Sequence, residues 1–159
     1  MISGAKESQM AQVRPNSYQY EVELLWVGGK VGLLKSGDAP ELSVAPPIEF
    51  GGPAGKWAPE ELFISSIQSC MMSTFLYFTE KLKVNIQSYS STAKGIMNMT
   101  PDGLRFIQID VHINAKTDDE QSHEKLTSIN MKEKIEKYCP VSAAVSCPIN
   151  LTINITPNQ

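Results

Sequence analysis

Residues 57–81 read WAPEELFISSIQSCMMSTFLYFTEK, and the fold turns on how they are read. Pro59 suits the first helical position, where a missing N–H costs nothing. Glu60 and Glu61 follow at the positive end of the helix dipole, and Lys81 and Lys83 stand at its negative end. From Leu62 to Thr79 no side chain is charged, and apolar residues such as Phe63, Ile67, Met71, Phe75 and Tyr77 lie all round the wheel. A helix apolar on every side is buried on every side. The stretch is therefore expected to be the central helix of a core. Polar residues, among them Ser65, Gln68 and Ser73, interrupt the run. That argues against a membrane span, which wants about 20 mostly apolar residues.

Working outward, the chain has 159 residues, 42% of them hydrophobic and 19% charged, as suits one globular domain over residues 17–159. Residues 1–16 are polar and read as a flexible N-terminal arm. A net charge of −3 and scattered lysines give no footing for nucleic acid. Residues 1–12 lack the apolar centre of a signal peptide. Three cysteines without a framework spacing point to a reducing, cytoplasmic setting. With His112 and His123 the only histidines and no CxxC spacing, neither a metal nor a cofactor is expected.

Residues 17–27 alternate through Tyr18, Tyr20, Val22, Leu24 and Trp26, which predicts a half-buried strand. Gly28-Gly29 is a hairpin turn, with returning strands over 31–35 and 41–45. Residues 46–56, PPIEFGGPAGK, read as a loop feeding the long helix. Beyond it, strands at 86–99 and 104–115 flank the turn Thr100-Pro101-Asp102-Gly103. Residues 118–128 are polar and helix-compatible. Asn130 caps a helix over 131–138, with Glu133 as its capping-box partner. Cys139-Pro140 breaks that helix, a helical turn follows over 141–146, and residues 150–155 alternate as a last strand. The order predicts an α+β fold.

Cys70 is the first candidate for chemistry. A free thiol titrates near ~8.5 and reacts as the thiolate, so it needs a cation or a helix N-terminus nearby. Cys70 sits mid-helix with no Lys or Arg within a turn. On position alone the plainer reading, a small buried hydrophobe, stands ahead. Cys139 differs, because Pro140 suits the first position of a short helix and makes Cys139 its cap, where thiols tend to be acidified. A helix break that merely uses cysteine is the equal alternative. Cys147 reads as structural. Glu60 precedes Cys70 by ten residues, roughly 15 Å along one helix. The two cannot meet within one straight helix. Either Glu60 merely favours the helix start, or a second antiparallel copy brings it to Cys70.

Ala58-Pro59-Glu60-Glu61-Leu62-Phe63, with Cys70 ten positions after Glu60, resembles the central-helix motif of the OsmC/Ohr family of osmotically inducible and organic hydroperoxide resistance proteins. Tyr138-Cys139-Pro140-Val141-Ser142 resembles the family's second motif. Gly28-Gly29 and Phe50-Gly51-Gly52 fit as well, and the resemblance runs from about Tyr18 to Ile155. It implies an OsmC-like fold, with antiparallel sheets wrapped around a long central helix in an intertwined homodimer. It also implies a cysteine-based peroxidase of oxidative stress defence, acting on organic hydroperoxides. Cys70 would be the peroxidatic thiol, Cys139 the resolving thiol, and a dithiol of lipoyl type the reductant. Phe63, Ile67, Met71 and Tyr77 would line the site. Where the family has an arginine paired with the glutamate that matches Glu60, this chain has Lys30, and its only arginines are Arg14 and Arg105. Lysine brings charge without the planar fork. The rival is a non-catalytic OsmC-like protein holding a small apolar ligand at the dimer interface. A thiol hydrolase would need His112 or His123 as base.

Overall fold

The computed structural model describes residues 17–158, and the arm expected over 1–16 lies outside them. The elements are β1 (Glu23–Gly28), β2 (Val31–Lys35), β3 (Leu42–Val44), a 3-10 turn (Ile48–Phe50), α1 (Pro59–Lys81), β4 (Ile86–Thr100), β5 (Gly103–Thr117), α2 (Glu120–Thr127), α3 (Met131–Tyr138), α4 (Pro140–Ala143) and β6 (Ile149–Pro157). They form two three-stranded sheets, β1-β2-β3 and β4-β5-β6, with helices between and after them. This is the expected α+β class.

β1 and β2 pair antiparallel from Glu23–Lys35 to the Gly28-Gly29 turn, where Trp26 Nε1 donates to the Gly29 carbonyl at 2.9 Å. The strand expected from Ser17 begins only at Glu23, because Glu23 already faces Lys35, the last residue of β2. Among the described residues no strand lies opposite residues 17–22. β1 is exposed on both faces: Leu24, Leu25, Trp26 and Val27 all lie open, Trp26 at 77%. A Val44–Trp57 bridge ties this sheet to the start of α1.

The second sheet carries the core. Ile109, Val111, Ile113, Ala115 and Thr117 alternate inward along β5. Between Gln108 and Phe106 the register with β4 slips, leaving Ile107 as the extra residue of a bulge. The slip returns Phe106 to the inner side, where its ring centroid lies 5.0 Å from that of Phe63 on α1. β6 runs parallel to β5, so this sheet is mixed and not wholly antiparallel as the resemblance implied. The cause is the long crossover through α2, α3 and α4, which takes the chain from the Thr117 end of β5 back to Ile109, where β6 starts.

α1 is bounded as its sequence predicts, with Ala58 as N-cap and Pro59 in the first turn. The Ala58 N–H donates to the Glu61 carboxylate at 2.9 Å. Glu61, not Glu60, thus serves the helix start. Ile67, Met71 and Phe75 belong to one core cluster with the inward residues of β5, Leu126 of α2 and Ile135 of α3. By length and apolarity alone α1 would pass for a membrane span. It is not buried on every side, as its sequence suggested. Phe63, Met72, Leu76 and Tyr77 are 36–42% exposed, interleaved with exposed Ser66, Ser69 and Ser73. At 3.6 residues per turn these positions form one continuous face, and Cys70 lies on its boundary with the buried stripe. The composition of the helix reports two apolar faces, and this chain covers only one of them.

α1 ends in a Schellman turn, with Val84 N–H on the Thr79 carbonyl at 2.9 Å and Lys83 N–H on the Glu80 carbonyl at 3.0 Å. The turn forces Lys83 to φ +53, where a side chain is strained and glycine is not. Lys83→Gly is expected to raise unfolding free energy by about 0.5–1 kcal/mol. Urea denaturation measures it, and a loss of stability would show that the lysine side chain makes up for its backbone.

Candidate active site

Two elements deliver two sulfurs to one point. α1 carries Cys70 at the edge of its buried stripe, and the break between α3 and α4 carries Cys139, which is fully buried. Asn130 caps α3 by accepting from Glu133 N–H at 3.2 Å, and Ile135 seats the helix in the core. Pro140 then starts α4 with Cys139 as its cap. The Cys139 sulfur accepts from Ser142 N–H at 3.4 Å, and the Ser142 hydroxyl donates back to the Cys139 carbonyl at 3.1 Å. The Cys139 and Cys70 sulfurs stand 2.8 Å apart, both as free thiols. A disulfide needs about 2.05 Å, so a small rotation would join them.

Burial pushes the Cys70 thiol up from its ordinary range, and contact with the Cys139 sulfur raises it further. Two groups oppose this: the Val141 backbone N–H and, more weakly, the Thr74 hydroxyl. Successive amides of the first turn of α4 therefore serve both sulfurs, Val141 for Cys70 and Ser142 for Cys139. Those donors can stabilise negative charge on sulfur or on an oxygen bonded to it. Sequence reading missed Val141, although Pro140 signals the helix start that frees its N–H.

The other two candidates lie elsewhere. Glu60 faces a cavity of about 670 Å³, walled by the 46–56 loop, Ile64, Met97, Leu104 and Phe106. One of its carboxylate oxygens is buried there without a partner. The Lys30 ammonium donates to the Phe50 carbonyl at 2.8 Å. No ion pair joins Lys30 to Glu60 among the described residues, and neither touches Cys70. Phe63 and Tyr77, two turns to either side of Cys70 on its own helix face, stay 37% and 42% exposed and do not enclose it. Ile67 and Met71 belong to the core.

Of the remaining candidates, Cys147 lies against the core beside Met71 and Leu151. Arg105 is exposed near the β4–β5 turn, opposite Asn98, and Arg14 lies outside the described residues. His112 is exposed on β5, and His123 shares a hydrogen bond with the Ile155 carbonyl. Neither histidine is poised as a base for Cys70.

A family model described as OsmC-like protein matches residues 52–154. Among solved structures, an OsmC-like protein of unknown function from Vibrio cholerae superposes with a TM-score of 0.77 at 14% identity, covering 87% of this chain and 100% of its own. An organic hydroperoxide resistance protein OsmC from Legionella pneumophila gives 0.65 at 22% identity, covering 87% and 97%. One from Elizabethkingia anophelis, holding thiocyanate from the crystallant, gives 0.66 at 22%, covering 91% and 100%. At these identities the likeness shows the fold. No protein of curated function matches the chain significantly by sequence.

The raised Cys70 thiol has a measurable consequence. Iodoacetamide should modify Cys70 with a midpoint above the usual ~8.5 of a free cysteine. Cys139→Ser should lower that midpoint, since it removes a sulfur contact that raises it and leaves a hydroxyl donor. The folded chain holds this proton more tightly than the unfolded one. Its contribution to stability is therefore full below the unfolded pKa and fades as pH rises through the folded value. A midpoint below 8 in the isolated protein would show an activating group that the single chain does not supply.

Proposed function

We propose that this chain, which belongs to the OsmC-like protein family, is a thiol-dependent peroxidase that reduces organic hydroperoxides. The 2.8 Å approach of Cys70 to Cys139 carries this reading. The Cys70 thiolate attacks the outer peroxide oxygen and breaks the O–O bond. The alkoxide leaves and takes a proton as the alcohol, and Cys70 becomes a sulfenic acid. Cys139 attacks that sulfur, expels water and closes a disulfide. A small dithiol, of lipoyl type, reopens it by exchange in the reducing setting of the cytoplasm. Cys70 is the nucleophile here because it borders the open face, whereas Cys139 is fully buried.

The working unit in this proposal is a homodimer. The open face of α1 exposes Phe63, Met72, Leu76 and Tyr77, and β1 exposes Leu24, Leu25, Trp26 and Val27, apolar surface of the kind that an interface covers. Serines at 66, 69 and 73 let a second helix approach closely, and an antiparallel partner brings its Glu60 towards Cys70. That carboxylate adds a polar group beside Cys70 to the Val141 N–H and the Thr74 hydroxyl of its own chain. A second reading, a non-catalytic protein holding a small apolar molecule at the same interface, is favoured by the raised Cys70 thiol and by the cavity at Glu60.

The two readings part on one experiment. Reduced protein is treated with cumene hydroperoxide or hydrogen peroxide, and its disulfides are mapped by mass spectrometry. The peroxidase should form a Cys70–Cys139 bond at least about tenfold faster with the organic peroxide. Cys70→Ser should abolish the reaction, and Cys139→Ser should stop it at the sulfenic acid. Oxidation no faster than that of free cysteine leaves the binding reading. Sedimentation equilibrium should give a dimer, and a monomer at micromolar concentration would remove the two-chain site.

A further inference from the structure

Among the described residues, one side chain from outside holds the loop between β3 and α1. Its 3-10 turn closes on itself, with Phe50 N–H on the Pro47 carbonyl at 3.0 Å, Gly51 N–H on Ile48 at 2.8 Å and Gly52 N–H on Pro47 at 3.1 Å. Lys30 reaches it across twenty residues of chain and donates to the Phe50 carbonyl at 2.8 Å. Gly51 makes room for that reach. It stands at φ +75, and a Cβ there would lie 2.8 Å from the Lys30 nitrogen and meet nothing else. Any other residue at 51 would be strained in its backbone and would obstruct the ammonium.

The same turn is a wall of the cavity that Glu60 faces. Ile48, Glu49 and Phe50 line it on one side, and Ile64, Leu104 and Phe106 on the other. We infer that Lys30 is a positioning residue, latching the Ile48–Phe50 turn as a wall of the Glu60 cavity and so setting the bulk of the organic group the cavity admits. The role differs from that of a cation lowering a thiol's pKa. Its hydrogen-bonding partner is a neutral carbonyl, and among the described residues it makes no ion pair with a carboxylate. An ammonium is a compact charge with three donors, and one of them suffices to hold a carbonyl whose turn has no other side-chain hydrogen bond among the described residues. Selection among hydroperoxides rests on the peroxidase reading, but the latch itself does not.

The test uses the full chain with Lys30→Met, which keeps length and loses the donor, and Lys30→Arg, which restores a donor. Hydrogen exchange of the Gly51 and Gly52 amides reports the latch. It should quicken about tenfold in Lys30→Met and return towards wild type in Lys30→Arg, as loss and recovery of one charged hydrogen bond would give. Calorimetric binding of cumyl alcohol, an inert match for the bulky organic group, should weaken several-fold in the methionine variant only. With hydroperoxides, kcat/KM for the cumene compound should fall more than for the tert-butyl compound, chiefly through KM, so the ratio between them changes. The pH midpoint of Cys70 alkylation should not move. Unchanged exchange together with a raised alkylation midpoint would overturn the latch and make Lys30 a charge acting on sulfur. Wild-type protein that reduces neither hydroperoxide would end the peroxidase reading, and amide exchange and alcohol binding would still decide the latch.

Discussion

Proline has no N–H and a fixed φ, and the position of Pro140 in the chain shapes the whole site. The helix arriving from Asn130 cannot run through it, so α3 stops and α4 starts. The residue at the join must be extended, and Cys139 is, at φ −84 and ψ 103. Extension aims its side chain into the core and not along a helix surface. The first turn of α4 then opens beside it with free N–H groups, one of which also serves Cys70. The meeting of the sulfurs, the donors around them and the burial of one thiol all follow from that break. With a residue that continued the helix at 140, Cys139 would become one more position on its surface, and the amides would turn to carbonyls a turn back.

A second constraint acts at the scale of surfaces. α1 presents one stripe to β5, α2 and α3, while Phe63, Met72, Leu76 and Tyr77 remain open opposite. The sheet β1-β2-β3 is tied on mainly through the Val44–Trp57 bridge and the Lys30–Phe50 bond, and β1 shows apolar side chains on both faces. Burying such area is worth roughly 25 cal/mol per Å², so it favours association. Cys70 lies where covered and open surface meet. From there it touches the Cys139 sulfur of its own chain's crossover and borders whatever covers the open face.

Local signals explain what was legible in the sequence. Pro59, Asn130, Pro140 and the Thr100–Gly103 turn each act through their own backbone or that of near neighbours, and the elements they bound lie where the sequence put them. The cap role of Cys139 is local in the same sense. Illegible features depend on distant partners. The direction of β6 is set by where the crossover returns it, not by its own alternation. The bulge at Ile107 left a trace only in two adjacent apolar residues, Phe106 and Ile107, that break the period. Lys30 meets a carbonyl twenty residues away, which no side-chain pattern records. The sequence of α1 could not say which of its apolar faces its own chain would cover.

The sulfurs are 2.8 Å apart in space and 69 residues apart along the chain. A bond between them would close a large ring around α1, the β4–β5 hairpin and the helical crossover. Such a ring removes extended conformations from the unfolded chain, worth about 4 kcal/mol for its length in the chain-entropy account. That is a sizeable share of the 5–15 kcal/mol that holds a typical domain together. The resistance of the molecule to unfolding and its redox state would then be one variable. Each reduction would give those extended conformations back to the unfolded chain, and each oxidation would take them away again.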